Sequence, residues 1–152
     1  MRLSVRARRV AIRFAYAGLR TYWFLLRPRI VGVKCVLTHG DDVLLVRHTY
    51  GSRAWDLPGG TVKRRETPRD AARREMHEEL GRRIDDWTSL GELFVNTKHH
   101  DDNLHLFLAR VNDRDLELDP VELAEAGWFP REALPSDLGR FVRPIVARLR
   151  TA

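Results

Sequence analysis

Residues 55–82 read WDLPGGTVKRRETPRDAARREMHEELGR, and the fold of the chain turns on them. The stretch begins as a short strand, turns at Pro58-Gly59-Gly60, and crosses a basic polar loop. A helix then runs from Thr67 or Pro68 to Gly81. Thr67 is an N-cap type residue and Pro68 suits the first helical position, where no partner for its nitrogen is needed. Asp70 lies in the first turn while Arg82 and Arg83 follow the last, the charge order that the helix dipole favours. Gly81 supplies the residue that terminates the helix.

Ala72, Met76 and Leu80 recur at i, i+4, i+8 and form an apolar stripe. Glu75, Glu78 and Glu79 fall beside it, within an arc of about 100° at helical periodicity. Crowding carboxylates has a cost: Glu75 and Glu79 are a like-charge i,i+4 pair, which destabilises a helix by roughly 0.2–0.5 kcal/mol. Arg74, four residues before Glu78, relieves part of the repulsion, and a bound divalent cation relieves more, because hard cations prefer oxygen ligands. Taken alone, EMHEE reads first as a solvated charged face, since glutamate-rich exposed helices are common.

The wider spacing changes that reading. Gly60 is followed by five residues, Glu66, seven residues, Arg74-Glu75-Met76, one residue, Glu78-Glu79, one residue and Gly81. This pattern resembles the Nudix box. The departure is at its last position, usually aliphatic and here Arg82. Looser resemblance extends from about Val31 to Pro135, including the EAGWFP segment after the box.

The resemblance implies an α/β fold, a Nudix-type α/β/α sandwich with a mixed sheet between helices. It implies water attack on phosphorus that cleaves the pyrophosphate bond of a nucleoside diphosphate linked to another moiety X. The products are a nucleoside monophosphate and phosphorylated X, or pyrophosphate from a triphosphate. In such an enzyme Glu75, Glu78 and Glu79 ligate Mg²⁺ or Mn²⁺ and count among its catalytic residues. A carboxylate-only site is hard and favours those ions over zinc. Gly60 supplies a backbone carbonyl and a tight turn. Glu66 and Arg74, with Gly81, are read as structural, tying the loop to the helix. The catalytic base in this family often comes from outside the box, at varying positions. Glu122 is the first candidate, Glu125 the second, and His99 or His100 a third route, as a base or a phosphate contact. Arg53, Lys98 and Arg47 are cations able to meet substrate phosphates. Trp55 is read as a core tryptophan ahead of a base-stacking one. The partner is a nucleotide-type small molecule, and X is not identified. The alternative from another class is a non-catalytic nucleotide-binding module of the same fold, held at a membrane or on a partner protein.

Length supports one main domain: 152 residues are enough for a proper core. The single cysteine, Cys35, excludes an intramolecular disulfide and sits in an apolar strand pattern, so it reads as a buried structural thiol. Charge is divided sharply. Residues 1–40 hold nine Lys or Arg and no acid, whereas from residue 41 onward 21 acids face 18 bases. The formal charge of +6 therefore belongs to the N-terminal quarter.

That quarter, residues 1–28, is read as a basic amphipathic helix ahead of the domain at residues 29–152. Val5, Ile12, Tyr16, Leu19, Trp23 and Leu26 make an apolar stripe, and Arg6, Arg13, Arg20 and Arg27 repeat every seven residues beside it. No uncharged run exceeds six residues, far short of the ~20 needed to span a bilayer. A secretory signal would have to carry Arg13 and Arg20 in its apolar core. Packing onto the domain, or onto a partner subunit in a homodimer, is the first reading of this helix. Peripheral contact with an anionic membrane surface is the second. Nucleic acid is not an expected partner, because no groove-reading motif accompanies the arginines. The acid-free, Arg-rich character also resembles an organelle transit peptide; the overall placement read from the chain is cytoplasmic.

Elsewhere, alternation predicts strands at residues 31–38 and 43–48 joined by a turn, two more at 87–96 and 104–111 around a polar loop at 97–103, and a short edge strand at 126–129. A C-terminal helix is expected over residues 138–150, with Phe141, Ile145 and Leu149 on its buried face.

Overall fold

In the computed structural model, which describes residues 4–26, 29–96 and 101–150, the alternating segment VGVKCVLT becomes the central strand of a six-stranded mixed sheet. The elements in chain order are α1 (Val5–Leu26), β1 (Arg29–His39), β2 (Asp42–His48), β3 (Gly59–Thr61), α2 (Pro68–Leu80), β4 (Thr88–Asn96), β5 (Asp101–Arg110), β6 (Leu123–Pro130) and α3 (Val142–Ala147), with a 3₁₀ turn at Arg148–Arg150. The sheet order is β4-β5-β1-β2-β6, with β3 also paired to β1. β1 and β5 are parallel, and the other pairs are antiparallel.

The period-2 alternation sorts side chains to two faces. Val33, Cys35, Leu37, Leu44, Val46 and Phe107 pack with Ala72, Met76 and Leu80 of α2 on one face. Val36, Val43, Leu45, Leu106 and Leu108 pack with Val142, Ile145 and Val146 of α3 on the other. Cys35 is buried in the first cluster, as its strand pattern predicts, and burial pushes its thiol pKa up.

Boundaries differ from the sequence expectation in several places, and the edge strand expected at 126–129 runs from Leu123 to Pro130. The residues read as a Pro-Gly-Gly turn run directly into β3, whose Gly59, Gly60 and Thr61 pair with Lys34, Val33 and Gly32. Asp101 to Asn103, expected in a loop, extend β5, because the parallel register with β1 continues through Arg29↔Asp101. The C-terminal helix is shorter than residues 138–150: Leu138 bridges to Trp55 as a strand-like contact, and the α-helix begins only at Val142. Ile145 and Leu149 are buried as expected, whereas Phe141 is the N-cap and half-buried.

Helix α2 obeys its local signals. The Thr67 hydroxyl accepts from the Asp70 N–H at 3.2 Å, Pro68 opens the helix, and Gly81 closes it with φ 65°. Gly81 N–H donates to the His77 carbonyl and Arg82 N–H to the Met76 carbonyl, so the last turn's free acceptors are used. Arg82, the one departure from the box pattern, turns outward to ion-pair with Asp113 and donates to the Asp115 carbonyl at 2.9 Å.

Candidate metal and diphosphate site

The stripe of α2 that packs on the sheet carries two of the box glutamates inward with it. Glu75 is 8% exposed and Glu79 1% exposed, so the reading of EMHEE as a solvated face holds only for Glu78, whose side chain stays in water. What lies opposite them is β3, and it lies there without side chains. An ideal Cβ on Gly60 would sit 2.2 Å from Glu75 Oε1. The close approach of that carboxylate is what requires glycine at this position. The left-handed backbone belongs to the preceding residue: Gly59 has φ 148°, and a Cβ there would stand 2.1 Å from the Val33 carbonyl oxygen. Gly59 N–H donates to Glu79 Oε2 at 3.2 Å.

Burial followed by the Glu75 charge pushes Glu79 up to about 8, and burial raises Glu75 as well. Arg74 restrains the group. Its Nε and Nη2 donate to the two oxygens of Glu66 at 2.8 and 3.0 Å, its Nη1 to Glu75 Oε1 at 2.7 Å and Glu78 Oε2 at 3.0 Å, and its Nη2 also to the Thr61 carbonyl at 3.0 Å. The Arg74 hydrogen bonds hold the Glu66 carboxyl below its ordinary range. Glu66 Oε2 also accepts from the Lys63 N–H at 2.9 Å, so Glu66 and Arg74 link the loop to the helix.

A second loop brings Glu122 to the same place. Glu117 and Asp119 N–H groups donate to the carbonyls of Leu80 and Glu79, both at 3.0 Å, so the loop docks on the end of α2. Thr49 then binds it from the other side, N–H to the Glu122 carbonyl at 2.8 Å and hydroxyl to the Val121 carbonyl at 2.6 Å. Burial, then Asp119, Glu75 and Glu78, raise the Glu122 pKa. Glu125 is committed elsewhere, to Arg47 at 3.2 Å. Arg47 also pairs with Asp137 and lies 4.5 Å over the Trp55 ring, which removes it from the phosphate-binding candidates. Trp55 packs edge-on against Phe129 in the α3-side core, as a core tryptophan. Arg53 is exposed on the loop before the box. Lys98, His99 and His100 lie outside the described residues. Tyr50, which no periodicity singles out, stands on the loop beside Glu122; burial, then Glu122 and Glu79, raise its pKa.

The residues fit a hard dication. The donors are carboxylates, two are buried with raised pKa values, and the backbone facing Glu75 leaves the space a Cβ would fill. Among the described residues no three acidic, histidine or cysteine side chains already close on one point; Arg74 occupies Glu75 and Glu78.

Comparison with known proteins gives a consistent result. The family model of the NUDIX domain matches residues 28–149. The chain is similar to an ADP-ribose pyrophosphatase of Mycobacterium tuberculosis, 34% identical over 55% of this chain and 42% of that protein. It is also similar to a putative 8-oxo-dGTP diphosphatase of Bacillus subtilis, 32% identical over 66% of this chain and 65% of the relative. It thus spans less than two thirds of either relative's length. Among solved structures, a MutT NUDIX hydrolase from Burkholderia pseudomallei superposes with a TM-score of 0.74 at 24% identity, over 80% of this chain and 98% of that one. A MutT protein from Methanosarcina mazei gives 0.72 at 25% identity, over 83% and 96%. These likenesses show the fold.

Proposed function

The chain belongs to the NUDIX family, and on that premise we propose that it hydrolyses the pyrophosphate bond of a nucleoside diphosphate linked to a further group. The observation that carries the reading is the burial of Glu75 and Glu79 against a strand edge built of two glycines. Carboxylates that deep are costly as anions, and the charges of Arg74 near Glu75 and Lys34 near Glu79 do not prevent burial from raising both pKa values. Nudix hydrolases generally use divalent metal ions, and the hard oxygen donors here suit Mg²⁺ or Mn²⁺.

In this reading Glu75, Glu78, Glu79 and the Gly60 carbonyl would hold the ion. When bound, it offsets substrate charge and lowers the pKa of an attacking water. Glu122 would accept the proton of the attacking water; its raised pKa makes it a stronger base near neutral pH than an exposed glutamate. Glu66 acts at a distance by fixing Arg74, and Arg74 in turn orients Glu75. Arg53, exposed on the loop before the box, is a described cation open to a substrate phosphate.

A panel of nucleotide sugars, nucleoside triphosphates, ADP-ribose and dinucleoside polyphosphates assayed with Mg²⁺ tests the reading. Release of a nucleoside monophosphate is expected, with Glu79→Gln losing turnover by about 10³-fold, the several kcal/mol a metal supplies to such a transition state, while still binding substrate. Undiminished turnover in that variant sinks the assignment. Binding without turnover in the wild-type protein converts the reading to a nucleotide-binding module.

Helix α1 adds a location to the activity. No helix of the described residues is long and apolar enough to cross a membrane. On α1, Val10, Phe14 and Gly18 recur at i, i+4, i+8 on the face turned away from the domain, with Arg6, Arg13 and Arg20 along one border and Arg8 near the other. Phe14 is 75% and Val10 52% exposed. This arrangement favours an anionic membrane surface as its partner.

A further inference from the structure

The opposite face of α1 rests on the two loops that frame the acidic cleft. Arg9, Ile12 and Tyr16, spaced three and four apart, are half-buried on that side. Arg9 Nε donates to the Pro120 carbonyl at 2.7 Å, two residues before Glu122. The Tyr16 ring lies 5.2 Å from that of Tyr50, tilted by 47°. Its hydroxyl and ring edge are the first atoms that a side chain at Gly51 would meet, at 3.1 and 3.3 Å. Tyr50 in turn lies 5.3 Å from His48. The loop bearing Tyr50 is the one bound through Thr49 to Val121 and Glu122. An N-terminal helix therefore delivers an aromatic ring to the rim of a site whose acids come from residues 75–122.

A packing role alone does not account for this contact. No described side chain of α1 is buried, and both tyrosines stay half-buried beside the acidic site. Resting on the reading of the cleft as a nucleotide site, we propose that Tyr16 and Tyr50 form an aromatic wall that stacks on the nucleobase of the substrate, so that α1 completes the binding site. A base needs an uncharged, flat surface, and every base has a π-face that such a surface can meet. The alternatives nearby are spoken for: Trp55 is in the core under Arg47, and Trp87 is buried against Phe107.

Calorimetry on the full chain with Mg²⁺ decides the matter, using AMP and ribose 5-phosphate, which share the phosphate and sugar and differ in the base. The wild-type protein is expected to bind AMP about tenfold more tightly. Tyr16→Ala should cut that preference to about threefold or less through AMP alone, Tyr16→Phe should restore it, and the melting temperature of each should match the wild type. A wild-type preference that survives Tyr16→Ala overturns the role of α1 while leaving the nucleotide site standing. Equal binding of the two compounds by the wild-type protein overturns the wall alone, and failure of both to bind overturns the wall and the site on which it rests.

Discussion

Helices α1 and α2 are opposites in charge and in their relation to the core, and the contrast separates two ways of using a charged helix. α2 turns its apolar stripe and two of its glutamates inward, and every device that holds it is local or one contact away: Thr67, Gly81, Arg74, β3. α1 has no acidic residue, buries no described side chain fully, and meets the domain through a handful of contacts around Arg9 and Tyr16. Burial raises the pKa values of Glu75 and Glu79 on α2. Exposure leaves the apolar face of α1 available.

The largest effect that tests this contrast lies at β3, where backbone and side chain can be damaged separately. Gly59→Ala puts a Cβ 2.1 Å from a carbonyl oxygen of β1 at a φ of 148°. Backbone strain and overpacking together cost about 2–6 kcal/mol, lowering the melting temperature by roughly 5–20 °C in a domain of this size. Gly60→Ala meets only the far end of Glu75. That carboxylate can swing aside, so stability should change by about 1 kcal/mol or less while turnover falls on the order of 100-fold. Differential scanning calorimetry beside the hydrolysis assay reads both. A Gly60→Ala protein that stays active removes Glu75 from the site.

These residues also show how far the chain could be read without its structure. The caps, the stripe and the Arg74–Glu78 pairing of α2 are contacts within a few residues, where sequence spacing is itself geometry. That Glu75 and Glu79 are buried while Glu78 is not depends on the approach of β3, a strand of three residues too short to show a period. Asp101 to Asn103 look like loop by composition and are strand because a parallel partner holds them. Leu138 fits the stripe of the last helix, yet its bridge to Trp55 is made across more than eighty residues. Tyr16 reads equally well as any stripe residue; only its meeting with Tyr50 distinguishes it.

A middle-sized effect follows from the raised carboxyls of α2. A folded-state pKa of about 8 at Glu79, against an ordinary 4.5, means the folded protein holds a proton that the unfolded chain releases. Stability from this source is present at low pH and lost as pH rises toward and through 8. Glu75 and Glu122 act in the same direction. His48 opposes them at the acid end: burial lowers it from 6.5 to about 4, so its contribution is lost as pH falls below 6.5. In EDTA the melting temperature should therefore decline from pH 6.5 to 8.5 and flatten below 6.5. Magnesium competes with those protons, so the stabilisation it gives should grow across the same interval. A melting temperature that climbs with pH in EDTA would falsify the placement of the acids in a desolvated site.

The smallest effect on the fold belongs to α1, and its readout is location. Four arginines near a lipid surface contribute about 1 kcal/mol each, and insertion of Phe14 adds about 1.5–3 kcal/mol. The full chain should then sediment with phosphatidylserine vesicles, less so with phosphatidylcholine ones, and release as salt shortens the Debye length. Phe14→Ala should weaken pelleting by about tenfold while shifting stability by no more than about 0.5 kcal/mol, because the side chain already stands in water. A chain lacking residues 1–27 that pellets as well as the full one assigns lipid contact to another surface. A homodimer built through the same apolar face gives a different signature: a doubled mass in scattering that Phe14→Ala abolishes, with no vesicle binding at all. The inner face of α1 is untouched by Phe14→Ala, so AMP binding should be unchanged in it, and a loss there would mean that the two faces of this helix do not act separately.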